Sequence, residues 1–131
     1  MTQIDSARTR SGRYFHLFIP RVEDAPGLPL SPPKGSKQVS AAEVEGTLYE
    51  VEGTGPVLVL AGNSRIVGDI WRCPVEGLKA LDADEWVRTR RLRRVGVQVG
   101  EYPCWVFVAG PRFARELAQQ NRSRDSEARA G

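Results

Sequence analysis

From Ala42 onward the chain alternates apolar and polar residues with period two, and turn residues interrupt the pattern at short intervals. Ala42, Val44, Gly46 and Leu48 alternate with Glu43, Glu45, Thr47 and Tyr49, the signature of a half-buried strand. Gly53-Thr54-Gly55-Pro56 turns the chain into the apolar run Val57–Leu60, and Gly62-Asn63-Ser64 reads as a further turn before a strand over Ile66–Trp71. Val95, Val97 and Val99 alternate again, Gly100-Glu101 closes a tight turn, and Tyr102–Val108 forms the partner strand of a hairpin. Helical spacing is confined to two places. Pro74 precedes Val75, Leu78 and Leu81 on one face, and Pro111 opens a segment with Phe113 and Leu117 at i, i+4. With an aromatic, branched strand at Tyr14–Ile19, the count is about six strands and two helices. This excludes a helical bundle and a repeated βαβ array, and predicts an α+β fold or a small barrel with helices on its rim.

Punctuation divides the rest of the chain. Residues 1–13 are polar and aperiodic, which predicts a flexible arm ahead of a domain over 14–110. Five prolines (Pro20, Pro26, Pro29, Pro32 and Pro33) fall within residues 20–38, so a long surface loop is expected there, with Leu28 and Leu30 as its apolar anchors if it covers a site. Residues 111–131 read as a short helix followed by a polar, disordered tail.

A chain of 131 residues makes one domain. No run of about 18 apolar residues exists, so no membrane partner is expected. Arg8, Arg10 and Arg13 precede any apolar stretch, which is not the pattern of a secretory signal and leads to an expected cytoplasmic location. The net charge of +3 resides in the ends: residues 14–121 carry thirteen basic and thirteen acidic side chains. The basic balance therefore says little about what the folded body binds.

Cys73 and Cys104 stand 31 residues apart, and His16 is the one histidine. That inventory cannot build a Cys/His zinc site, and two buried thiols in a reducing compartment are expected. The chain lacks G-x-S-x-G, the P-loop and G-x-G-x-x-G. His16, inside an aromatic strand, reads as structural.

The acidic group Asp82, Asp84 and Glu85 follows the helical stretch 75–81. Taken alone it is a solvated helix end. Placed in order with its surroundings it means more. Val44-Glu45-Gly46-Thr47-Leu48-Tyr49, then Pro56-Val57-Leu58, then Val67-Gly68-Asp69-Ile70-Trp71, then Leu81-Asp82-Ala83-Asp84-Glu85 resembles the gamma-glutamylcyclotransferase-like family. That family has a G-x-L-Y strand, a short apolar segment, a V-x-G-(E/D) strand and a helix ending in L-D-x-x-E.

The resemblance implies a small mixed β-barrel with flanking helices. It also implies a cofactor-free, metal-free reaction in which a gamma-glutamyl amine or amide cyclises to 5-oxoproline and releases an amine. Its partner is a small gamma-glutamyl molecule, and a homodimer is left open. Glu85 falls where the family has its general acid/base. Leu17, Phe18, Ile19 and Tyr49 fall on the segments expected to wall the substrate. One departure is clear. Family members end the first strand in Y-G-(T/S)-L, whose glycine turn offers backbone N–H groups to the substrate. Here a bulky residue, Phe18, replaces that glycine and Pro20 removes a donor. The alternative expectation is thus a non-catalytic small-molecule or protein binding module on the same scaffold. Catalysis requires Glu85 to line an enclosed pocket beside residues 15–20.

Arg88, Arg90, Arg91, Arg93 and Arg94 crowd into seven residues. They read as a charged strand face that blocks edge pairing, or as a phosphate-binding stripe in which 88, 90 and 94 share one side. With Trp86 the one nearby aromatic, nucleic acid is not the expected partner.

Overall fold

The structure is a computed structural model that describes residues 3–4, 8–9, 12–21, 31–51 and 55–130, with 3–4 and 121–130 described by backbone alone. In chain order the elements are β1 (Gln3–Ile4), β2 (Tyr14–Pro20), β3 (Lys37–Val51), β4 (Gly55–Pro74), α1 (Gly77–Asp82), α2 (Glu85–Arg88), β5 (Leu92–Val99), β6 (Tyr102–Ala109) and α3 (Pro111–Ala130). The fold is mixed α+β, as the turn-rich alternation predicts.

Among the described residues one sheet holds six strands in the order β1-β5-β6-β2-β4-β3. Among the described residues the pairing of β2 with β6, through His16↔Cys104 and Leu17↔Trp105, is the one parallel contact. Among the described residues the sheet does not close by hydrogen bonds, so the expected barrel is an open one. It nevertheless coils strongly. Val44 from β3 and Val97 and Val99 from β5 lie far apart in strand order yet share one buried cluster with Phe18, Leu58, Ile70 and Cys104. Coiling of this kind follows from the right-handed twist of long strands.

Two further clusters cover the outside. Phe15, Leu17 and Cys73 bury Leu81 of α1, so α1 lies on the outer face. Val57, Leu92 and Ala109 bury Leu117 of α3, with Tyr49, Trp86 and Phe113 around them. Cys73 and Cys104 are free and buried, in separate clusters.

The structure departs from the sequence expectations in several places. The runs 57–60 and 66–71 belong to one strand, and Gly62-Asn63-Ser64 does not reverse the chain. The register jumps from Gly46↔Ser64 to Thr47↔Val59, so residues 60–63 bulge out of β4. Gly62 takes φ +98°, and the Thr47 hydroxyl donates to the Ala61 carbonyl at 2.7 Å. Turn chemistry and bulge chemistry use the same residues, and here the long partner β3 keeps the strand going. Pro74 ends β4 instead of opening a helix, and α1 begins three residues later. Gln3–Ile4, expected within a flexible arm, pairs with β5 at Val97 and Gly96. The α3 backbone stays helical to Ala130, through residues expected as tail. Lys37 and Gln38 already belong to β3. Leu28 and Leu30 lie outside the described residues, as does the body of the expected lid.

Candidate functional site

The sequence points to β2 and to Glu85, and β2 alternates strictly. Phe15, Leu17 and Ile19 face the outer cluster, where Leu81 and Trp71 pack against them. Phe18 faces the interior and is 2% exposed. Its cross-strand partner is Ile70, and on the diagonal stands Gly68, which pairs with Pro20 across β2 and β4. A Cβ added at Gly68 would lie 2.5 Å from Phe18 Cζ and would also strike the Ile19 carbonyl oxygen. The aromatic ring therefore occupies the space above a residue that only glycine can fill. The V-x-G-(E/D) glycine serves here as the seat of Phe18. Its neighbour Asp69 binds Arg21 at 2.5 Å and accepts from the Gln38 amide at 2.7 Å, tying the end of β2 to β3.

The stretch Leu81–Glu85 spans the end of α1, a two-residue link and the start of α2. Each side chain has a separate fate. Leu81 is buried. Asp82 pairs with Arg94 at 3.0 Å, and Arg94 in turn lies 4.3 Å over the Trp105 ring. Asp84 is the N-cap of α2, accepting from the Trp86 N–H at 2.9 Å. Glu85 alone keeps a carboxylate with no partner among the described residues. It is exposed and is not among the residues that line the arginine cavity described below.

Tyr49 is half-buried in the third cluster, against Val57 and Leu92. The five residues named from the sequence thus fall in three separate packing clusters and on the surface. Leu17 and Ile19 share a face; Phe18, Tyr49 and Glu85 are each elsewhere.

His16 lies on the interior side of β2, half-buried, with its ring edge-on to Tyr102 at 5.0 Å. Burial, aided by the nearby Arg72 guanidinium, holds its pKa below the ordinary 6.5. Neutral imidazole is therefore the favoured form, which fits the structural role expected for it.

A further group of side chains, including Arg112 and Arg115, which the sequence expectations leave out, lies at the far end of the sheet. Trp86, Arg90, Arg91, Arg112, Phe113 and Arg115 line a half-open cavity of about 790 Å³ between α2, the turn into β5 and the start of α3. The phosphate-binding stripe offered as the alternative reading of Arg88, Arg90 and Arg94 does not form. Arg88 ends a helix, Arg90 sits in a turn with φ +64°, and Arg94 is spent on Asp82 and Trp105. The available signal was Pro111-Arg112 with Arg115 three residues on, at a helix start. Among the described residues no group of three His, Cys, Asp or Glu side chains could hold a metal ion.

A protein-family model described as gamma-glutamyl cyclotransferase, AIG2-like, matches residues 28–128. The match takes in the Leu81–Glu85 motif and begins after β2. Comparison with the curated proteins and with the solved structures gave no match.

Proposed function

The chain belongs to the gamma-glutamyl cyclotransferase, AIG2-like family, and from that premise we propose that it is a ligand-binding member that keeps the scaffold without the cyclisation chemistry. One observation carries this reading: Phe18 fills the interior above Gly68. An intramolecular lactam closure needs its substrate folded into an attack conformer in a water-poor pocket. With that volume taken by a ring, and with Pro20 lacking an N–H, this end of β2 has less room and one donor fewer than the family's glycine turn. Glu85 is exposed rather than enclosed in a water-poor site. A reducing cytoplasm suits the two free, buried thiols.

The test is incubation with a panel of gamma-glutamyl amines, scoring 5-oxoproline against a blank without protein. No release above the blank is expected, and release would overturn the reading.

A second reading is favoured by one feature, the unpaired carboxylate of Glu85 beside two engaged aspartates. In it the substrate's α-amine attacks its own γ-carbonyl to close the five-membered lactam. Glu85 takes the ammonium proton and returns it to the departing nitrogen. Leu17, Phe18, Ile19 and Tyr49 would wall the substrate only after β2 and α2 rearranged.

A further inference from the structure

We propose that the arginine-lined cavity at the start of α3 binds the phosphoryl group of a small phosphorylated molecule. The inference names a site and ligand class for the binding reading above and rests on it. Charge is the first argument. Arg90, Arg91, Arg112 and Arg115 meet there against one acid, Glu116, which reaches Arg112 at 3.8 Å. The segment 14–121 is neutral as a whole, so this is a local concentration of cations that repel one another until an anion enters. Among the described residues neither Arg90 nor Arg115 has an ion-pair partner.

The backbone at this cavity is arranged at a cost. Arg90 is the one described non-glycine residue with left-handed φ, a conformation that L side chains rarely adopt. Its carbonyl oxygen lies so close that a Cβ on Gly110 would strike it, and the Gly110 N–H donates to the Arg91 carbonyl at 2.8 Å. This close crossing fixes the 90–91 turn against the first residues of α3. It brings arginines from two distant segments to one mouth.

The wall and the helix end bear on it too. Pro111 opens the twenty-residue α3, and its first-turn residues Pro111, Arg112 and Phe113 line the same cavity, so the positive end of the helix dipole lies at its edge. Arg91 lies 5.1 Å over Trp86, whose ring stands 5.8 Å from that of Phe113. The aromatic side accepts an apolar or ring-bearing portion. The planar guanidinium forks match phosphoryl oxygens in pairs, and several of them suit a multiply charged group better than a single carboxylate.

Calorimetric titration of the full chain with pyrophosphate, ADP and adenosine tests this. Pyrophosphate and ADP should bind with one-to-one saturation that weakens as salt rises, and adenosine should not bind. Arg90→Gly combined with Arg115→Gln should weaken both at least tenfold, whereas Arg88→Gln, outside the cavity, should not. Should the double variant fail to fold, Arg115→Glu on the exposed face of α3 supplies the same readout. Adenosine binding as well as ADP, an equal loss in Arg88→Gln, or a preference for a single-stranded oligonucleotide would each overturn the proposal. Absence of phosphate binding together with absence of 5-oxoproline overturns this site alone. Release of 5-oxoproline overturns the reading beneath it.

Discussion

Phe18 lies against the bare α-carbon of Gly68, so that a methyl group there would stand 2.5 Å from Phe18 Cζ and 2.8 Å from Cε2. Ring and glycine form one packing unit across β2 and β4, and the interior is built around it.

Gly68→Ala should therefore destabilise by about 1–3 kcal/mol, the usual cost of overpacking a filled core. Phe18→Ala should cost about 3–5 kcal/mol through lost burial and a cavity. The double variant should be better than the sum, because each change relieves the other. Urea unfolding of the four proteins checks this, and strict additivity would mean that the two residues are not in contact.

The end of α1 sets two small effects in order. Asp84→Ala removes the α2 cap and should cost about 0.5–2 kcal/mol. Asp82→Ala removes a partly exposed ion pair and should cost about 0.2–1 kcal/mol. Arg94→Ala loses the same pair and also its stacking on Trp105, so it should exceed Asp82→Ala. The reverse order would contradict the packing described.

His16 has a folded pKa held below 6.5 by burial and by Arg72, so the unfolded chain binds its proton more readily. Its contribution to stability is complete above about pH 6.5 and is lost as pH falls below that value. His16→Gln should remove that part of the acid sensitivity. Unfolding midpoints at pH 7.5 and pH 5, compared between the two proteins, provide the measure; equal slopes would refute it.

Burial raises the pKa of both cysteines, that of Cys104 to about 12. Both thiols should resist an aromatic disulfide reagent in the native state at pH 8 and react together on unfolding. The folded form keeps Cys104 neutral, so its stabilising contribution is complete below about pH 9.0 and declines as pH rises from there toward 12. Rapid native labelling would contradict the placement of these residues in the core.

Much of this architecture was legible because it is local. Period-two alternation located the strands, and the apolar spacing of Leu78 and Leu81 located α1. Long-range geometry was not legible. Nothing in residues 14–20 or 102–109 announces that these strands run parallel. Gly62-Asn63-Ser64 carries the same chemistry whether the chain turns or bulges. For the site, the departure at Phe18 was visible in the sequence, but its packing on Gly68 depends on the register between β2 and β4. The arginine cavity escaped notice because its lining comes from segments some twenty residues apart, joined by the Gly110–Arg91 crossing.

The central claim is that the scaffold persists here without cyclotransferase chemistry, and release of 5-oxoproline by wild type and Glu85→Gln side by side tests it most directly. Both proteins should match the protein-free blank at saturating gamma-glutamyl amine, with unchanged folding by circular dichroism. Turnover by the wild type that disappears in Glu85→Gln would contradict the account and restore Glu85 as the base.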